Sequence, residues 1–146
     1  MLENLETMPA ESIRARAEEL KRGGFRFVTE TACQNGEGTL DLFYSFDREG
    51  KLATLKATVS EGEHVRSLSD VYLAAAFVEN EIGELFGLVF DGIAVDYGGH
   101  FILAQGAPET PFGSGVIIER REKTATGAAS SAGAVQTKGG EADAGK

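Results

Sequence analysis

"SLSDVYLAAAFVENEIGELFGLVFDG", residues 67–92, decides the fold, because three carboxylates, Glu79, Glu81 and Glu84, stand there among large apolar side chains. Ser67 and Asp70 form an S-x-x-D capping signal and Gly87 a stop, so the pattern predicts a helix from about Asp70 to Phe86. At about 100° per residue, Val71, Ala74, Ala75, Val78, Ile82 and Leu85 fall within about 60° of one line, with Phe86 at its edge. That stripe faces a core. Glu79 and Glu81 lie about 80° to either side of it and point apart, so they are not a pair sharing a proton or gripping one ion. The far side of a surface helix should be polar, yet it carries Leu73, Ala76 and Phe77, with Asn80 and Glu84 beyond them. Burial of Leu73 and Phe77 is worth roughly 1.5–3 kcal/mol each. Two covers for this second face remain open: the domain's own terminal segments, or another subunit with Asn80 and Glu84 as polar anchors. Neither requires chemistry.

The elements before this helix read clearly. Pro9, Glu11 and Ser12 start a helix, "AESIRARAEELKR" continues it with Ile13, Ala17 and Leu20 on one side, and Gly23-Gly24 ends it. "FRFVTETAC" alternates with Phe25, Phe27, Thr29, Thr31 and Cys33 on one face, a strand. "NGEG" (35–38) turns the chain into "TLDLFYSF", whose Leu40, Leu42, Tyr44 and Phe46 share a face. After "DREG" (47–50), "KLATLKATV" makes a third strand, with Leu52 out of phase and a bulge expected there. "SEGEHVRSLSD" (60–70) reads as loop. Beyond the central helix come "IAV", "HFIL" and "GVIIE", expected as short strands, and "DYGG" as a turn. Residues 122–146 are Gly, Ala, Ser and Thr with almost nothing to bury, a disordered tail behind a domain of residues 1–121. The fold class is α+β: an N-terminal helix, a three-stranded antiparallel sheet, the long central helix packed on it, and short C-terminal strands.

Composition narrows the function. The chain has 146 residues, enough for one modest core, and a formal net charge of −9. The tail carries equal numbers of acids and bases, so the excess acid sits on residues 1–121. An acidic body without a basic cluster argues against nucleic acid as a partner and suits a basic protein neighbour. Cys33 is the only cysteine, which alone makes neither an intrachain disulfide nor an iron–sulfur or structural zinc site. On its β-strand it reads as a small packing residue. The acidic start "MLENLETMPAES" is unlike a secretory signal, and the apolar run "VYLAAAFV" is far short of the roughly 20 residues of a membrane helix. The expectation is a cytoplasmic protein.

Catalytic patterns are missing. The helix glutamates lack the Glu-x-x-His of helical di-metal sites, and His64 and His100 stand isolated. No G-x-S-x-G, H-E-x-x-H, P-loop or G-x-G-x-x-G occurs. Two alternatives from other classes remain: a small free-standing enzyme using Glu84 and His100 around "DYGG", and a self-associating binding domain.

The central stretch resembles the signature of the 30 kDa subunit of NADH:quinone oxidoreductase (complex I). Ser67 opens the loop, Asp70 begins the helix, and Glu79 and Glu81 occupy the two glutamate positions of the family's Glu-Arg-Glu, with Asn80 in place of arginine. Glu84-Leu85-Phe86-Gly87 match Asp-Leu-Phe-Gly, and Phe90 and Gly92 match the following Phe and Gly. The similarity spans residues 9 to about 105. The family's Gly-His-Pro turn and the arginine pair after it are replaced by "GIAVDYGGHFIL". In this, and in its length, the chain is most like the cofactor-free homologue in energy-converting membrane-bound [NiFe] hydrogenases of the Ech and CO-induced types.

The resemblance implies a non-catalytic accessory subunit that binds no cofactor and no metal of its own. Its implied partners are a hydrogenase-type large subunit and an iron–sulfur small subunit, with the membrane arm reached through them. The complex around it would hold iron–sulfur clusters and, in the hydrogenase case, a nickel–iron centre, with ferredoxin or a similar electron donor. The place implied is the cytoplasmic face of the membrane, and Leu73, Ala76, Phe77, Asn80 and Glu84 are the expected partner-binding residues.

Overall fold

The computed structural model describes residues 4–113. Its frame is a hairpin of two long strands, β3 (Thr39–Arg48) and β4 (Lys51–Ser60), paired antiparallel in unbroken register from Thr39↔Ser60 to Arg48↔Lys51. The turn between them needs two residues at positive φ, supplied by Glu49 (54°) and Gly50 (81°), the mirror-image geometry that matches strand twist. β2 (Arg26–Gln34) flanks β3, also antiparallel. As the alternation predicts, Leu40, Leu42, Tyr44 and Phe46 are buried, joined by Leu55, Ala57 and Val59 from β4. α1 (Ala10–Arg22) lays Ile13, Ala17 and Leu20 into the same core and stops at Gly23, as expected.

The sheet has four strands and is mixed, not three and antiparallel. β1 (Leu5–Thr7) pairs parallel with β4, giving the order β1-β4-β3-β2. All three β1 residues are exposed, so no hydrophobic period marks it. Backbone bonds hold it: Thr54 N–H donates to the Asn4 carbonyl at 3.0 Å and Met8 N–H to the Lys56 carbonyl at 2.9 Å. The bulge expected in β4 is absent, and Leu52 simply faces outward opposite Asp47. The irregularity lies in β2, where the register slips between Phe27 and Thr29 and leaves Val28 as the extra residue. A one-residue slip exchanges the faces of everything after it. Thr31 and Cys33 are therefore exposed, against expectation, and Glu30 and Ala32 turn inward.

The central helix, α2 (Ala75–Phe86), starts five residues later than the Ser67–Asp70 signal suggests. Residues 68–74 are turns, with Val71 N–H donating to the Leu68 carbonyl and Ala75 N–H to that of Tyr72, both at 2.9 Å. Asp70 caps nothing because Arg14 (2.8 Å) and Arg66 (3.1 Å) hold its carboxylate, and no side chain caps Ala74. The C-terminal end is as expected, with Gly87 left-handed at φ 76°. Part of the expected loop is strand: β5 (His64–Arg66) pairs parallel with β6 (Val89–Asp91). "IAV" and "HFIL" are bends, not strands. "GVIIE", the 122–146 tail and the boundary at 121 lie outside the described residues.

The slip in β2 has an electrostatic result. Glu30 pairs across the sheet with Tyr44, and both are buried, at 3% and 1% exposure. The two groups are neighbours, yet neither carboxyl oxygen nor the phenol completes a hydrogen bond of ordinary geometry among the described residues. Burial pushes the Glu30 carboxyl well above the usual carboxylate range; the nearby Glu79 charge adds to this and Tyr44 opposes it. An acid raised on folding gives stability that is complete below the ordinary value of 4.5 and is lost as pH rises through the folded value. Glu30→Gln should therefore raise the urea midpoint at about pH 8, by the equivalent of ~1–3 kcal/mol, and the gain should vanish near pH 4. Glu79, shifted the same way, leaves a residual slope. A second substitution tests the end of the motif. Gly92 has φ 73°, and a Cβ there would fall on the Arg66 guanidinium, so Gly92→Ala should cost more than about 1 kcal/mol in the same titration.

Candidate docking face on the central helix

Glu79 leaves α2 on its buried side and is only 1% exposed, not a flanking surface residue. Its Oε1 accepts the Leu68 N–H at 2.6 Å and its Oε2 the Ser67 hydroxyl at 2.5 Å. Ser67 Oγ lies 2.6 Å from Ser69 Oγ, which in turn accepts the Ala94 N–H at 2.7 Å. One carboxylate thus starts a chain of bonds that ties the helix to the 67–69 turn and the turn to the segment beyond β6. Burial raises its pKa, the bonds from Ser67 and Leu68 lower it, Asp70 raises it and Arg66 lowers it; the net direction is upward.

Glu84 does similar work five residues on. Its Oε2 accepts the N–H groups of Phe101 (3.2 Å) and Ile102 (2.8 Å), and its Oε1 that of Leu103 (2.9 Å). Three successive amides converging on one anion form a nest built around a side chain of the same protein. Desolvation pushes this carboxyl up, but the bonds from Ile102, Leu103 and Phe101, with His100 nearby, outweigh it and hold it below the usual range. Asn80 completes the strapping: its Oδ1 accepts the Tyr97 N–H at 2.9 Å, and its Nδ2 donates to the Val95 carbonyl at 2.7 Å.

The expected second apolar face is consequently divided. Leu73 and Phe77 are exposed, at 62% and 46%, whereas Ala76 is fully buried. Leu73 precedes the helix and does not belong to it. Asn80 and Glu84 are engaged with the chain's own residues 95–103. That segment adds two aromatic rings, for which the sequence pattern indicates only a turn and an apolar run. Gly98 and Gly99, at φ 64° and 75°, bend the chain so that the Tyr97 and Phe101 rings stand 4.8 Å apart, with Phe101 in turn 6.3 Å from Phe77. The signal is present as Tyr-x-x-x-Phe around two glycines. Nothing in it discloses that Asn80 and Glu84 hold both ends.

The remaining motif residues have structural places. Leu85 accepts the Phe112 N–H at 2.8 Å through its carbonyl, Phe86 stacks against the Phe112 ring at 5.6 Å, and Phe90 is buried in β6. Glu81 is half-buried on α2, one turn beyond Phe77. Around "DYGG", Glu84 already accepts three hydrogen bonds, out of roughly four acceptor sites on a carboxylate, so little basicity is left for the Glu84–His100 alternative. His64 sits away from this face, its Nδ1 2.9 Å from an Asp91 carboxylate oxygen. Among the described residues no three His, Cys, Asp or Glu side chains come together as metal ligands would.

No curated protein matches the chain. Among solved structures it resembles a chain of the membrane-bound sulfane sulfur reductase (MBS), an archaeal respiratory membrane complex, with a TM-score of 0.65 and 22% identity over 80% of this chain and 74% of that one. A likeness at that identity speaks for the fold alone. The sequence pattern of the respiratory-chain NADH dehydrogenase 30 kDa subunit matches residues 7–111, which takes in every element from α1 to β6 and the whole Ser67–Gly92 motif. The protein belongs to that 30 kDa subunit family.

Proposed function

We propose that the protein is a cofactor-free accessory subunit of a membrane-bound, energy-converting oxidoreductase, of the [NiFe]-hydrogenase type in preference to the quinone-reducing type. One observation carries the reading. The two buried carboxylates of the central helix, where chemistry would have to reside, are both committed to bonds with the chain's own backbone and hydroxyls. The α2 side chain left most exposed is apolar, Phe77. The protein contributes shape, and it supports electron transfer from ferredoxin or a similar donor by holding redox-bearing neighbours in place.

The hydrogenase preference rests on the missing Gly-His-Pro turn and arginine pair, in whose place "GIAVDYGGHFIL" makes an aromatic loop. The fold also occurs in a respiratory membrane complex named for sulfane sulfur reduction, so it is not tied to quinone. Among the described residues no helix is long and apolar enough to cross a membrane. Attachment to the cytoplasmic face through a hydrogenase-type large subunit and an iron–sulfur small subunit is therefore the arrangement proposed, with Leu73 and Phe77 on the docking side.

Affinity purification through a tag on this chain, from cells that make the whole complex, tests the proposal. The expected material contains a large and an iron–sulfur small subunit together with nickel and iron, while the chain made alone retains neither metal nor flavin. A full quinone-reductase set without nickel would select the other member of the family. A tightly bound metal or flavin on the isolated chain would remove the scaffold reading altogether.

A further inference from the structure

Residues 67–113 contain seven Asp and Glu and not one Lys or Arg. The bases of the described body lie elsewhere, and each ion pair among the described residues takes its cation from residues 14–66. Asp70 is paired with Arg14 and Arg66 and Asp91 with His64, while α2 and the 93–103 segment strapped to it by Asn80 and Glu84 stand together. They carry the row Phe77–Phe101–Tyr97, 46%, 36% and 41% exposed. Glu81 follows Phe77 by one helical turn, Asp96 adjoins Tyr97, and neither is in an ion pair among the described residues. His100, beside Phe101, is the one side chain of the stretch able to take positive charge.

We infer that this face docks a protein surface consisting of an apolar cleft rimmed by Lys and Arg, with the three rings filling the cleft and Glu81 and Asp96 meeting the rim. The inference rests on the accessory-subunit reading and adds the place and the chemistry of the contact. Exposed aromatic rings grouped in this way are typical of interface cores, and a surrounding field of one sign selects partners of the other sign. An anionic lipid surface is disfavoured by the same field. A second copy of the chain would bring acid against acid.

Photo-cross-linking in the assembled complex tests it, with a benzophenone amino acid at Tyr97 and, as control, at Phe43, whose position alternates with the buried Leu42 and Tyr44 on β3. From Tyr97 we expect cross-links to one subunit, within a peptide that carries Lys or Arg. The pair Glu81→Gln and Asp96→Asn, which keeps the Asp96 acceptor for the Gly98 N–H, should reduce recovery of that subunit roughly fivefold at low salt and flatten its loss at high salt. An unchanged unfolding midpoint establishes that the variant is folded. Cross-links from Phe43 but not Tyr97, or from Tyr97 to an acidic peptide, to lipid or to a second copy, would overturn the inference while leaving the accessory role standing. A chain that never co-purifies with any subunit would overturn both.

Discussion

A carboxyl group inside a protein needs either hydrogen bonds or a proton, and the arrangement of this molecule follows from how it treats three of them. Glu79 and Glu84 receive hydrogen bonds from groups of the same chain, and Glu30 is driven toward its neutral form by burial. The first two choices fix the architecture. Glu79 draws in the turn that precedes α2, Glu84 draws in the loop that follows β6, and so one helix organises everything between residues 67 and 103. Removing the Glu79 carboxyl would leave the buried Leu68 N–H without its acceptor, which costs more than the bond itself contributes, whereas removing that of Glu84 would release the part-buried amides of residues 101–103.

The same choices give two of the helix's three glutamates a structural task. A general base or metal ligand needs lone pairs facing a ligand, and those of Glu84 face three amides of residues 101–103. The family signature thereby acquires a physical meaning. Its serine and first glutamate make one lock, its acid before Leu-Phe-Gly makes another, and its glycine at 92 leaves room for Arg66, which reaches Asp70.

Legibility in the sequence tracks how much side-chain burial each element carries. α1 and the long strands bury alternate or every third or fourth residue, and their bounds are readable to within a residue or two. β1, β5 and β6 are three residues each and are held by backbone pairing, which leaves no period to read. The bulge is at Val28 and not at Leu52 because Leu52 breaks the visible pattern by facing outward, while Val28 preserves that pattern and disrupts the pairing. For the candidate site, Leu73 and Phe77 are readable as surplus apolar residues, although Leu73 stands before the helix. Ala76 is misplaced because the buried side of α2 runs through Glu79, about 60° from it, and a count of apolar residues sets that carboxylate on the flank. The aromatic row is hidden because a carboxylate contacting amides seventeen to nineteen residues away leaves no local trace.

The same separation along the chain means that the bonds to Glu84, and the far end of the chain of bonds from Glu79, close only after the residues beyond β6 have been made. Translation delivers α2 well before the amides that satisfy Glu84, and the hydroxyl chain from Glu79 likewise ends on Ala94. A chain cut short before Phe101 would lack all three amides that Glu84 accepts, leaving that carboxylate to water. The segment from Ala94 to Leu103 is thus a clasp, fastened at one end to the turn before α2 and at the other to the helix itself.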